Sequence, residues 1–236
     1  SGESCYWVES TGYKTPEGYR LFSSEGHATQ RGELVDLTGD GLPEYIYSYS
    51  KNGTVNQTWL NTGNGWSSQP YSRLALPKAL IVDDKARGEL IDLNADGLVD
   101  YVYGYYENSS NPRRTWMNTG GLFYTTGTNA LWVEDTTFTL PKDLFFQTGA
   151  RKGLLVDVNK DGLPDLVRAY EVNQQTYLQT YLNSGLGTSG CASTSCRWVY
   201  NPSYNAPKPL FISHPQYYTP TTRGTIADID GNGVVD

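Results

Sequence analysis

Oxygen-bearing side chains recur at fixed spacing in this chain, in a pattern suited to binding a hard cation. Counted from the first acid, offsets 0, 2, 4 and 8 carry oxygen in four segments. The first has Asp36, Thr38, Asp40 and Glu44; the second has Asp92, Asn94, Asp96 and Asp100. The third has Asp157, Asn159, Asp161 and Asp165; the fourth has Asp228, Asp230, Asn232 and Asp236. Offset 6 is Leu42, Leu98, Leu163 or Val234, which can ligate through the backbone carbonyl alone. Offset 5 is always glycine (Gly41, Gly97, Gly162, Gly233), as a tight loop entering positive φ requires. Carboxylate and carbonyl oxygens without Cys or His suit Ca²⁺ better than Zn²⁺ or Mg²⁺. One Asp-Gly loop would say little, because such loops are common β-turns. Four copies with the same internal offsets predict one Ca²⁺ per complete loop, three to four in all.

The elements that hold these loops repeat with them. Arg31, Arg87, Lys152 and Arg223 each precede a glycine and a short apolar run that leads into the loop. After the loop comes an alternating run, Tyr45 to Tyr49, Tyr101 to Tyr105 or Leu166 to Tyr170. A second run ends in a turn: Thr58-Trp-Leu-Asn-Thr-Gly63, Thr115-Trp-Met-Asn-Thr-Gly120, Thr180-Tyr-Leu-Asn-Ser-Gly185. Strands bearing Trp7, Trp132 and Trp198, with Trp66 as a weaker equivalent, precede the loops. Period-2 alternation and the abundance of Tyr (19) and Gly (25) read as all-β. Four short strands per unit predict four-stranded antiparallel sheets arranged radially, as β-propeller blades, over a linear array or a sandwich. The chain is expected to be a single such region, residues 1–236, with approximate units 5–65, 66–120, 130–187 and 196–236, the last incomplete.

The pattern is not an EF-hand, since its twelfth positions are Tyr47, Tyr103 and Arg168, in strands rather than a helix. It resembles the FG-GAP/VCBS repeat of integrin α-subunit propellers. Leu60 to Trp66 (LNTGNGW) is similar to repeats of toxin-complex and Rhs-type secreted proteins. It departs from that pattern at Thr38 and Glu44, and no clear Gly-Ala-Pro element occurs. The resemblance implies an extracellular or cell-surface, calcium-stabilised and non-catalytic module for adhesion, scaffolding, or protein or glycan binding. Its partner would be a protein or glycan at a propeller face, or another part of the same parent chain. Alternatives are part of a propeller enzyme such as a polysaccharide lyase, or of a toxin-complex shell. Propellers of this kind close with about seven blades, so three units and the start of a fourth suggest a fragment.

Composition narrows the classes further. With 18 basic and 25 acidic residues the net charge is −7, which disfavours a phosphate-backbone binder, and nucleic acid is not an expected partner. No apolar run approaches the length of a membrane span, and no signal peptide opens the sequence. Cys191 and Cys196 enclose four small residues and can close a disulfide hairpin, which leaves Cys5 unpaired. Asn52, Asn56 and Asn108 lie in glycosylation sequons. His27 and His214 occupy unrelated repeat positions and read as loop residues, outside any hydrolase motif. Most Tyr and Trp should form cross-strand pairs or core, with Tyr105, Tyr106, Tyr217 and Tyr218 as rim candidates.

Overall fold

The computed structural model describes residues 9–22, 30–110, 112–120, 131–185, 197–213 and 221–227. The expectations for Cys5, Cys191, Cys196, His27, His214, Trp7, Tyr217 and Tyr218, and for the whole fourth loop (Asp228, Asp230, Asn232, Val234, Asp236), lie outside the described residues.

The fold is all-β. The first sheet holds β1 (Gly32–Val35), β2 (Glu44–Ser50) and β3 (Thr54–Trp59), extended by the short β4 (Ile81–Val82) and β5 (Lys85–Ala86). The second is a four-stranded antiparallel meander of β6 (Gly88–Ile91), β7 (Asp100–Tyr103), β8 (Arg114–Asn118) and β9 (Trp132–Glu134). The third repeats that meander with β10 (Gly153–Val156), β11 (Asp165–Val172), β12 (Gln175–Asn183) and β13 (Trp198–Tyr200). It adds β14 (Phe211–Ser213) and β15 (Thr221–Thr222). Two short parallel contacts, β2 with β4 and β11 with β14, continue the edge where β1 and β10 stop. No helix among the described residues is long and apolar enough to cross a membrane.

The acidic loops are hairpin connections with one register. Val35 pairs with Glu44, Ile91 with Asp100, and Val156 with Asp165, so the last oxygen-bearing residue of each loop opens the following strand. The glycine that starts each sheet lets the two strands close up: a Cβ on Gly88 would strike the ring of Tyr101. The phase of the repeat differs from the sequence reading. Trp132 and Trp198 pair with Asn118 and Asn183, so each Trp strand closes the sheet of the loop before it. In the first sheet this fourth strand shrinks to a single bridge, Asn61 with Trp66.

Alternation gives each sheet two unlike faces. Tyr45, Tyr47 and Tyr49 point one way and Tyr45 faces Trp59 across the strands, while Ile46 and Ser48 point the other. Tyr101 likewise stacks on Trp116, with ring centroids 5.4 Å apart. Leu37, Ile46, Leu74, Leu76 and Leu80 of the first sheet form one core with Tyr101, Tyr103 and Trp116 of the second. Leu93, Val102, Phe138, Leu140 and Leu144 of the second form another with Leu155, Leu166 and Trp198 of the third. The aliphatic face of each sheet thus receives the opposite face of the next.

Candidate metal centre

Each described loop is shaped by its own carboxylates. Asp36 accepts the amides of Thr38, Gly39 and Gly41 at 3.2, 2.7 and 2.7 Å. Asp157 repeats this with Asn159, Lys160 and Gly162, and Asp92 accepts those of Asp96 and Gly97. At offset 4, Asp40, Asp96 and Asp161 each take the amide of Leu42, Leu98 or Leu163 at 2.9 Å. Asn94 and Asn159 donate to Asp96 and Asp161, also at 2.9 Å; Thr38 instead sits 3.4 Å from Asp36. Short polar side chains bonding to nearby amides favour such turns over a regular ladder. The glycines at offset 5 lie at φ 87°, 87° and 85° (Gly41, Gly97, Gly162). Offset 3 is also left-handed, with Gly39, Ala95 and Lys160 at φ 74°, 58° and 67°, which the sequence reading missed.

The offset-8 acid takes a different place from its neighbours. Glu44, Asp100 and Asp165 are fully buried beneath their loops. Each accepts the amide at offset 1, from Leu37, Leu93 or Val158, at 2.7, 2.9 and 3.0 Å. Asp100 and Asp165 accept a second amide, from Asn118 and Asn183, at 2.8 Å. Burial is the main force raising these acids, followed in part by repulsion from the other two carboxylates of the same loop. Glu44 and Asp100 rise to about 7, and Asp165 to about 6. Buried Oε1 of Glu44 has no hydrogen-bond partner.

These residues fit a hard divalent cation in donor chemistry and charge. The donors are all oxygen, and one buried oxygen is unsatisfied. As they stand, no three described Asp, Glu, His or Cys side chains gather closely enough to hold a metal ion. The reason is visible in the hydrogen bonds: offsets 0 and 4 are turned onto loop amides, and offset 8 points inward. The structure therefore brings Asp36, Thr38, Asp40 and Leu42 into one turn, with their counterparts, and sets Glu44, Asp100 and Asp165 below it.

A residue the sequence reading treated only as turn material ties the first and second loops to the next sheet. The Asn118 side chain donates to the Leu37 carbonyl, and that of Asn183 to the Leu93 carbonyl, both at 2.8 Å. The Oδ1 of each accepts the amide of Gly120 or Gly185. The same loop residue thus gives its amide to its own buried acid and its carbonyl to the following sheet. The signal was the Asn of the repeated Leu/Met-Asn-Thr/Ser-Gly turn.

Of the rim candidates, Tyr106 is exposed, and Tyr105 lies under the Arg87 guanidinium at 4.1 Å. A separate cleft of about 440 Å³ between the N-terminal segment and the first sheet is lined by Lys14, Tyr19, Gln57, Trp59, Trp66 and Gln69.

Comparison with known proteins adds little. No family model matches the chain, and no curated protein matches it. Among solved structures, a lectin of Agrocybe aegerita, studied for its specific recognition of non-reducing terminal N-acetylglucosamine, is similar at a TM-score of 0.45 and 15% identity. The match covers 72% of this chain and 37% of the lectin, and at that level it supports no inference about function.

Proposed function

We propose that the chain is a calcium-stabilised run of propeller blades that serves as a non-catalytic binding or scaffolding module of a larger secreted or surface protein. The observation that carries this reading is the threefold loop. Three hairpins separated in sequence adopt one register, share three carboxylate–amide bonds at the same offsets and each bury one acid, so three carboxylates are held together at every loop. A divalent cation would balance this charge. Asp36, Asp92 and Asp157, with the offset-2 and offset-4 side chains and the offset-6 carbonyl, would hold it, and the acid beneath each loop, Glu44, Asp100 or Asp165, would complete the oxygen set. Thr38 offers a weaker donor than Asn94 or Asn159, so the first loop is the weakest site. The cleft beside Trp59 and Trp66, with aromatic edges among amide and charged groups, is the place where a glycan or peptide would meet the module.

The test is a thermal melt with and without chelator, paired with elemental analysis and with Asp96→Ala and Asp161→Ala. Calcium should raise Tm, because an ion that binds the folded loop better than the unfolded chain stabilises it. Each substitution should remove about one equivalent of metal. An unchanged Tm after chelation, with no bound metal, defeats the proposal.

A further inference from the structure

We propose that the aliphatic face of the third sheet is a docking surface for one more four-stranded sheet of the same repeat. The inference deepens the blade reading above but rests on packing, with no part for a cation. Two interfaces of this kind already exist in the chain, and the face of the third sheet continues them.

In both formed interfaces the incoming sheet covers the same three features. The first is the last residue of a short 3₁₀ turn: Leu74 is 0% exposed and Phe138 3%. The third sheet has the same turn, with Thr180 bonded to the Tyr204 carbonyl as Thr58 and Thr115 are to those of Leu74 and Phe138. There, however, Tyr204 is 39% exposed. The second feature is the offset-1 carbonyl of the acidic loop, which takes an Asn amide at Leu37 and Leu93. The counterpart is Val158, and no described Asn side chain reaches its carbonyl. The third is the leucine two residues after a Pro-Lys turn (Pro77-Lys78, Pro141-Lys142, Pro207-Lys208): Leu80 and Leu144 are buried, whereas Leu210 is partly exposed.

Val158, Val167 and Ala206, already buried in the sheet, line with Tyr204 and Leu210 an open cavity of about 380 Å³. Ile226, which aligns with Leu155, already lies against it. Leu155, Leu166 and Trp198 fill the corresponding space on the second sheet, and the Trp198 indole N–H points at the Phe138 carbonyl from 3.4 Å. The occupant that fits is therefore a sheet presenting an apolar residue, an aromatic ring and an Asn turn.

A second copy of the chain fits less well. Its first sheet carries the matching face, but residues 13–22 already cover it. Tyr45 donates to the Tyr19 carbonyl at 2.5 Å, and Tyr13 meets Trp66 edge-on at 5.3 Å. That segment takes the place that Leu74 to Leu80 take beneath the second sheet, so docking a second copy would require displacing it.

Residues 223–236 align with 152–165 without a gap, so adding a copy of residues 166–213 after Asp236 supplies a test sheet of the same repeat. The extended chain should melt in one transition, about 5–10 °C above the parent, as expected for an added nearest-neighbour interface. Nitration of Tyr204 by tetranitromethane should be lost, in chelator as in calcium, which separates this result from the fate of the calcium reading. Tyr204→Asp should leave the parent Tm unchanged and abolish the gain on extension. An extra repeat that melts separately, or Tyr204 nitrated as fast as before, overturns the proposal. So does a concentration-dependent dimer of the parent that protects Tyr204, which would make a second copy the occupant. If the extended chain is insoluble, dye binding decides: the parent should bind anilinonaphthalene sulfonate and Tyr204→Asp should weaken it, and a parent that does not bind overturns the proposal.

Discussion

Asn183→Ala isolates the clamp between the second and third sheets. Its amide nitrogen lies 2.8 Å from the Leu93 carbonyl in a fully buried setting, and its Oδ1 accepts the Gly185 amide at 3.2 Å. The backbone amide that serves Asp165 is untouched by the substitution. Stranding a buried carbonyl costs about 1–3 kcal/mol, and losing the turn bond about 1 kcal/mol more. The expected loss is therefore about 2–4 kcal/mol, large for a protein whose net stability is about 5–15 kcal/mol. Urea denaturation at saturating calcium measures it, with the slope checked for constancy. Asn183→Asp sharpens the reasoning. It keeps the volume but turns the donor into an acceptor facing the Leu93 carbonyl, so it should cost more than Ala. A loss below about 1 kcal/mol for Asn183→Ala, or an Asp variant as stable as the parent, would refute the argument that this amide is a buried donor. Asn118→Ala, at the other interface, should add to Asn183→Ala within about 0.5 kcal/mol.

Gly97→Ala, at φ 87°, should lower stability by about 1–2 kcal/mol in urea melts through backbone strain, because no atom lies within 4 Å of the new methyl group. Burial first, and Glu89 second, raise the Glu33 carboxyl from 4.5 to about 7, with Arg151 opposing. Its folded form therefore holds a proton more tightly than the unfolded chain, and the stability this contributes is present below pH 4.5 and lost as pH rises through 7. Glu33→Gln should match the parent at pH 4 and exceed it at pH 8 by up to about 3 kcal/mol, as pH-dependent urea melts would show. Glu44, Asp100 and Asp165 are raised in the same direction, so the chelated protein should melt higher at pH 5 than at pH 8. With calcium present, protonation competes with the ion and the order should reverse, which scanning fluorimetry can follow.

The acidic loops were legible because their causes are local. A hairpin whose first carboxylate bonds to amides three and five residues on is specified by those few residues, and glycine at offset 5 is needed wherever φ reaches 87°. All-β alternation was legible for the same reason, and Tyr45 opposite Trp59 and Tyr101 opposite Trp116 follow from period two once the turns are set. Other features depended on residues far apart in the chain. Offsets 0 to 8 looked alike as ligands in the sequence, yet Glu44, Asp100 and Asp165 are buried because they open the strand that packs beneath the next sheet. The Asn clamp spans 81 and 90 residues, which no local pattern encodes. The phase of the repeat was ambiguous for a related reason. A Trp strand between two loops alternates equally well with either neighbour, and only the antiparallel pairing of Trp132 opposite Asn118 and Trp198 opposite Asn183 assigns it to the sheet before. Sequence thus determined the units and their turns, while tertiary packing decided which faces meet and which acids lie inside, because burial depends on the whole set of neighbours a residue acquires on folding.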